Sequence, residues 1–138
     1  MKSYFDVFKV SASALEAQRR RMNVITSNMA NVNTTRTEQG GPYRRKDVVF
    51  SPMEIESNPV ELQGVKILDI VEDKTPSKKV YDPGHPDADK DGYVEMPNVN
   101  ILEEMVNMMA AFRAYEASVS AFNTSKSMFL KSLEIGRV

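Results

Sequence analysis

The chain contains no cysteine, and His85 is its one histidine. Disulfides, thiolate nucleophiles, cysteine-based zinc clusters and any two-histidine metal site are therefore excluded, which leaves few residues for catalysis. Neither sign of charge dominates, since 18 Lys and Arg balance 19 Asp and Glu for a net charge of -1. Such a balance gives no general attraction to nucleic acid or to an anionic membrane. No segment approaches the roughly 18 consecutive apolar residues that span a bilayer. The start, Met1-Lys2-Ser3-Tyr4-Phe5-Asp6, has no apolar run, and Arg19-Arg20-Arg21 lies well inside an amphipathic pattern rather than ahead of a hydrophobic stretch. A cleavable secretory signal is not expected from these residues.

What the 138 residues do contain is a sustained apolar repeat near the end. Ile101, Met105, Met108, Phe112, Tyr115, Val119, Phe122, Lys126, Phe129 and Leu133 alternate steps of four and three, and Lys126 is the one non-apolar member. A 3.5-residue period predicts a narrow seam on one long helix, to be covered by another helix. Near the start, Phe8, Leu15, Met22 and Met29 recur every seven residues, with Ala12, Ile25 and Val32 close to the intervening positions. This is a second seam. The methionines on both stripes read as adaptable seam filling. At ~1.5 Å per residue the two helices would run ~40 and ~50 Å, and each has a polar majority, so packing rather than intrinsic propensity must stabilise them. Lys126 either specifies the register of the seam or marks its end.

Ser3 and Asp6 resemble a capping pair, and Asn28, Asn31, Asn33, Thr34 and Thr35 are positioned to end the first helix near Asn31. Between Gly40 and Val94 the texture changes. Gly40-Gly41-Pro42, Asn58-Pro59, Asp82-Pro83-Gly84 and His85-Pro86 are turn signals that separate β-prone runs at 46–50, 65–71 and, more weakly, 93–96. The reading is a small hairpin or two followed by an irregular loop. Asn98 or Asn100 caps the last helix, and Gly136 sits where a C-terminal stop belongs. The expected fold is mainly α: an N-terminal helical segment (1–33), a small β-hairpin and irregular middle (34–97), and a C-terminal helix (98–138), the two helices forming a coiled-coil-like pair.

Several motifs compete for a chemical role. Asp87-Ala88-Asp89-Lys90-Asp91-Gly92 matches the opening of a calcium loop, but its twelfth position is Asn98, which offers no bidentate carboxylate, and Pro83 and Pro86 argue against an incoming helix. A calcium-responsive helical binding protein is the competing function. Arg44-Arg45-Lys46 begins a strand, while Arg19-Arg20-Arg21 faces solvent or a neighbour's carboxylates. Glu103 and Glu104 diverge by about a hundred degrees around a helix and read as charges complementing its N-terminal dipole. No nucleophile, base and orienting group can be assembled, so the chain is not expected to be an enzyme.

The ends carry a resemblance. Ser11-Ala12-Ser13-Ala14-Leu15-Glu16-Ala17-Gln18, then Met22-Asn23-Val24 and Ser27-Asn28-Met29-Ala30-Asn31 with Thr34, resemble the N-terminal signature of bacterial flagellar rod and hook proteins. Val99-Asn100-Ile101-Leu102-Glu103-Glu104-Met105-Val106, followed by Arg113-Ala114-Tyr115-Glu116-Ala117, is similar to the C-terminal helix of that family, and the loop from Tyr81 to Asp89 with Gly92-Tyr93-Val94 points to its proximal rod members. The resemblance implies a structural subunit of the flagellar basal body, exported without a cleaved signal and polymerised in the periplasm as a hollow shaft around the export channel. Both terminal helices would form its tube. Implied partners are the rod proteins FlgB, FlgF and FlgG, FliE, the inner-membrane ring and copies of the chain itself, with no cofactor, no nucleic acid and no membrane insertion. The expected subunit interface comprises Phe8, Leu15, Met22, Asn28, Met29, Asn31, Ile101, Met105, Met108, Phe112, Tyr115, Val119, Phe122, Phe129 and Leu133.

Overall fold

The computed structural model describes residues 2–55 and 62–136. Two long helices, α1 (Lys2–Ala30) and α2 (Ile101–Ile135), enclose two separate two-stranded antiparallel sheets, β1 (Lys46–Glu54) with β2 (Gln63–Glu72) and β3 (Lys78–Tyr81) with β4 (Tyr93–Met96). The helices account for just under half of the chain, so the architecture is helical at its ends and β in its middle, more mixed than the mainly α fold expected. Met1, Asn58-Pro59 and the last two residues fall outside the described residues.

Neither helix contains glycine or proline, and together with the apolar stripes this explains their unbroken length. α1 begins at Lys2, ahead of Ser3, so Ser3 is inside the helix and not its cap. At the other end the polar tract stops the helix as expected: Asn31 donates its side-chain amide to the Ser27 carbonyl at 2.9 Å, and the Thr34 hydroxyl donates to Asn31 at 3.1 Å. Asn100 caps α2 by accepting from the Leu102 amide at 3.1 Å. Gly136 does end α2, but at φ -78°, so the stop makes no use of glycine's left-handed freedom.

The helices run antiparallel. Phe8 meets Phe122 at 5.2 Å and Phe129 at 6.2 Å between ring centroids near the start of α1, while Asn28 meets Glu104 near its end. β2 lies on α1 through Gly64, where a Cβ would stand 2.7 Å from the Ser13 hydroxyl. That hydroxyl donates to the Val10 carbonyl and accepts from the Val65 amide at 3.1 Å, joining strand to helix. The β1–β2 register shifts between Val49 and Phe50, leaving Leu68 as an extra residue in β2. This bulge inverts the strand's parity. Val65 and Ile67 line a cleft with Ser13 and Ala17, and three residues beyond Ile67 the side chain of Ile70 still lines a cleft with Asn23 and Val24.

Two expectations for the middle region were incomplete. The strands extend past the β-prone cores, and the supposed irregular loop contains β3, whose Lys78-Lys79 start gives no local β signal and which forms by pairing with β4.

Among the described residues the buried apolar set is small, comprising Ala17, Ile25, Tyr43, Val94, Val99 and Ala111, and most of it lies toward the end of α1 and the start of α2. Phe5, Met128, Leu130, Leu133 and Ile135, at the opposite end of the helix pair, stay exposed. Local stability follows buried contact. In the free subunit, amide hydrogen exchange is expected to be slow across residues 20–30 and 104–115 and markedly faster across 5–12 and 122–135. Equal protection along both helices would overturn this gradient.

A polar node and an outward apolar flank as the candidate assembly interface

Asn28 is fully buried, and its amide uses every hydrogen-bonding position. Its NH2 donates to the Lys46 carbonyl at 2.8 Å and to Glu104 at 2.9 Å, while its oxygen accepts from the Lys46 amide at 2.9 Å and the Tyr43 hydroxyl at 3.0 Å. Glu104, also fully buried, takes a 2.7 Å hydrogen bond from Arg45 Nε. Asn28 and Glu104 therefore join α1, the entry to β1 and α2 in one node. Arg45 also approaches Asp47 at 3.1 Å and Asp73 at 3.9 Å. Burial opposes its charge, but the bonds to Glu104 and Asp47 prevail and hold its pKa above the ordinary arginine value. Asp73 is held below the usual carboxylate range, chiefly by the Thr75 hydroxyl.

Asn98 extends the node. Its oxygen accepts from the Arg45 amide at 2.8 Å, and its NH2 donates to the carbonyls of Asp73 and Thr75. It thereby links the two sheets at the entrance to α2 rather than capping the helix. Two expectations are corrected here. Glu104 does more than complement a helix dipole, and Arg45 turns inward from a triplet that looked like a simple strand start, leaving Arg44 exposed. Arg19 and Arg20 pair with Glu16 of their own helix.

The α2 face toward α1 follows Glu104, Met108, Ala111, Tyr115, Ser118, Phe122, Ser125 and Phe129, all buried or half-buried. This line shares Met108, Tyr115, Phe122 and Phe129 with the expected seam but substitutes small or polar residues at the alternate positions. The other members turn away: Ile101, Met105, Phe112 and Leu133 are 42, 47, 52 and 45 % exposed. Val119 lies half-buried between the two sets, and Lys126 is exposed. On α1, Phe8, Leu15, Met22 and Met29 are half-buried, as is Asn31 just beyond its end. The exposed members are joined by Leu102, Val106 and Met109, which fall outside the heptad stripe and which the sequence reading missed. Their i, i+4, i+7 spacing was the available signal. Below them Phe112, Tyr115 and Val119 line an open groove of about 640 Å³ on the same helix.

The acidic loop has a different role. Asp89 accepts from the amides of Asp91 and Tyr93, Asp82 from that of Gly84, and Asp87 from the Thr35 hydroxyl, while His85 Nδ1 accepts from the Asp87 amide. The local acceptors shape turns, and the Asp87 bond ties the loop to Thr35 beyond the end of α1. Among the described residues no three His, Cys, Asp or Glu side chains gather as a metal site requires, and nothing supports the calcium reading.

Residues 8–36 match the family model described as flagella basal body rod protein, and residues 90–135 match that of the flagellar basal body rod FlgEFG protein C-terminal. Among similar proteins, the flagellar basal-body rod protein FlgC of Escherichia coli O157:H7 is 47 % identical, over 96 % of this chain and 97 % of its own. Its counterpart in Borreliella burgdorferi is 47 % identical over 95 % and 96 %, and that of Bacillus subtilis 46 % identical over 96 % and 98 %. The chain belongs to the FlgC family of flagellar basal-body rod proteins. As a FlgC-family member it is a structural subunit of the rod and assembles with other rod components. The two matched segments contain the halves of the node, Asn28 in one and Glu104 in the other, while Arg45 lies between them.

Removing one partner from a buried charged pair leaves the other uncompensated. Glu104→Ala is expected to cost about 3 kcal/mol of stability, and Asn28→Ala about 2 to 4 kcal/mol through its unsatisfied partners. Urea denaturation of the free subunit measures both. A loss below about 0.5 kcal/mol, the range of ordinary surface substitutions, would show that the node does not set the fold.

Proposed function

We propose that this subunit polymerises in the periplasm as part of the proximal rod, a hollow helical shaft that transmits torque and surrounds the export channel. The observation that carries this reading is the outward flank of α2, where Ile101, Leu102, Met105, Val106, Met109 and Phe112 stand exposed along about three turns of helix. A contiguous apolar surface of this kind marks an interaction site. Burying one such side chain contributes roughly 1.5 to 3 kcal/mol, so a neighbouring helix laid along the flank gains enough to drive association. A heterologous contact that does not close generates an open helix of subunits, as a shaft requires.

In this reading the terminal helices of adjacent copies complete each other's seams in coiled-coil-like fashion, and the β-rich middle lies outside the tube. FlgB, FlgF, FlgG, FliE and the inner-membrane ring are the proposed neighbours. Export proceeds unfolded and without a cleaved signal. The role is mechanical and non-catalytic. Lys126 specifies register by meeting an oxygen on a neighbouring helix, its stem packed on the seam.

The geometry separates folding from assembly. Phe112 is exposed, so Phe112→Asp is expected to change the stability of the free subunit by no more than about 0.5 kcal/mol while abolishing its incorporation into basal bodies and swimming. Phe122 packs on Phe8 within the chain, so Phe122→Asp should in addition lower the midpoint of unfolding. Normal motility with Phe112→Asp would exclude the flank from the packing layer.

A further inference from the structure

The β3–β4 ribbon has charge of opposite sign at its two ends. At the end where Lys78 pairs with Met96, Lys74 and Lys78 are exposed, and the neighbouring Asp73 is already engaged by Thr75 and Arg45. At the end where Tyr81 pairs with Tyr93, the loop exposes Asp82, Asp89 and Asp91 against the single base Lys90, while Asp87 is held by Thr35 and lies 3.8 Å from Arg36. Next to the acidic pole the ribbon shows an exposed aromatic face. Tyr81 and Tyr93 stack edge to face at 5.3 Å and are 64 and 43 % exposed, with Lys79 and Glu95 paired beside them at 3.8 Å. Val94, on the opposite face, is buried.

We propose that this ribbon is a lateral contact between copies of the chain, the acidic loop of one copy seated against the lysine end of the next with the tyrosine pair between them. The proposal rests on the reading of the chain as a polymerising subunit. The occupant follows from charge: the surface complementary to each pole is the other pole, so a second copy satisfies both. Electrostatic matching of this kind fixes orientation and register more than raw affinity. Because the two poles are different surfaces, a head-to-tail contact leaves one of each free at the ends of a row and propagates.

The absence of cysteine makes the test direct. Within one chain, positions 78 and 91 lie about five residues apart along the ribbon, ~16 Å at ~3.3 Å per residue and far beyond the ~7 Å limit between Cα atoms that a disulfide spans. Lys78→Cys and Asp91→Cys combined in one chain, oxidised in isolated basal bodies, should give a ladder of dimers, trimers and higher species on non-reducing gels, and neither single substitution should. Absence of crosslinks, or a product that stops at dimer as a closed two-fold pairing would, overturns the proposal. A second measurement decides if the cysteine chain does not assemble. Lys74→Glu with Lys78→Glu, or Asp82→Lys with Asp91→Lys, should each abolish swimming, and all four together should restore it. Swimming retained by either pair, or not restored by the fourfold change in a chain that circular dichroism shows to be folded, also overturns it. If the unsubstituted chain is itself missing from basal bodies, the rod reading fails instead.

Discussion

The buried amide of Asn28 constrains the rest of the structure. Its four hydrogen bonds go to three places, the backbone at the start of β1, the Tyr43 hydroxyl and the Glu104 carboxylate of α2, and all are satisfied at once in this arrangement. A polar group this deeply buried costs free energy unless every partner is in place, so a slipped helix pair or a displaced hairpin is disfavoured by the bonds it would break. Glu104 adds the same condition for Arg45, and Asn98 for the junction between the sheets. The node acts on uniqueness. Its net contribution to stability is modest, because the same groups hydrogen-bond to water in the unfolded chain.

That division of labour explains how a chain with so few buried apolar residues holds a defined shape. An ordinary domain of this length fixes its register through large side chains in one core. Here Ala111, Ser118 and Ser125 occupy alternate positions of the line on α2 that faces α1, while Met105, Val106, Met109 and Phe112 point away. Small residues inside let the helices approach, and large ones outside are kept for a neighbour. In the proposed assembly α2 is thus the middle of a sandwich whose second slice lies in another molecule, while within one chain only its α1-facing line is covered.

The elements that local chemistry determines were legible beforehand. α2 was marked by its heptad stripe and the Asn100 cap, the end of α1 by Asn31 and Thr34, and the cores of β1, β2 and β4 by β-branched runs between turn signals. What escaped depends on partners distant in sequence. Glu104 looks like any first-turn acid until Arg45 and Asn28 are placed beside it, because a line of Glu, Ala, Ser and Ser carries no hydrophobic period. β3 exists through its pairing with β4 rather than through its own propensity. The bulge at Leu68 is a matter of register, which alternation cannot reveal once both faces of a strand are partly apolar. Of the candidate interface, the heptad marked α2 and several residues that stand exposed on it. It could not say which half of the stripe α1 would claim.

The same arrangement bears on how copies of such a subunit would meet. A net charge near zero gives little colloidal repulsion, and the flank of α2 is apolar enough to promote association. Charge is instead distributed along the chain: arginines paired with Glu16 on α1, lysines and aspartates at opposite ends of the β3–β4 ribbon, and glutamates at the start of α2. In the proposed assembly, a copy that meets its neighbour's flank in a wrong orientation would bring like charges together or leave them unpaired. Because the node fixes where the ribbon stands relative to α2, the apolar and charged surfaces present themselves to a neighbour as one rigid pattern. In the proposed assembly orientation is then selected by charge, and adhesion supplied by the apolar flank.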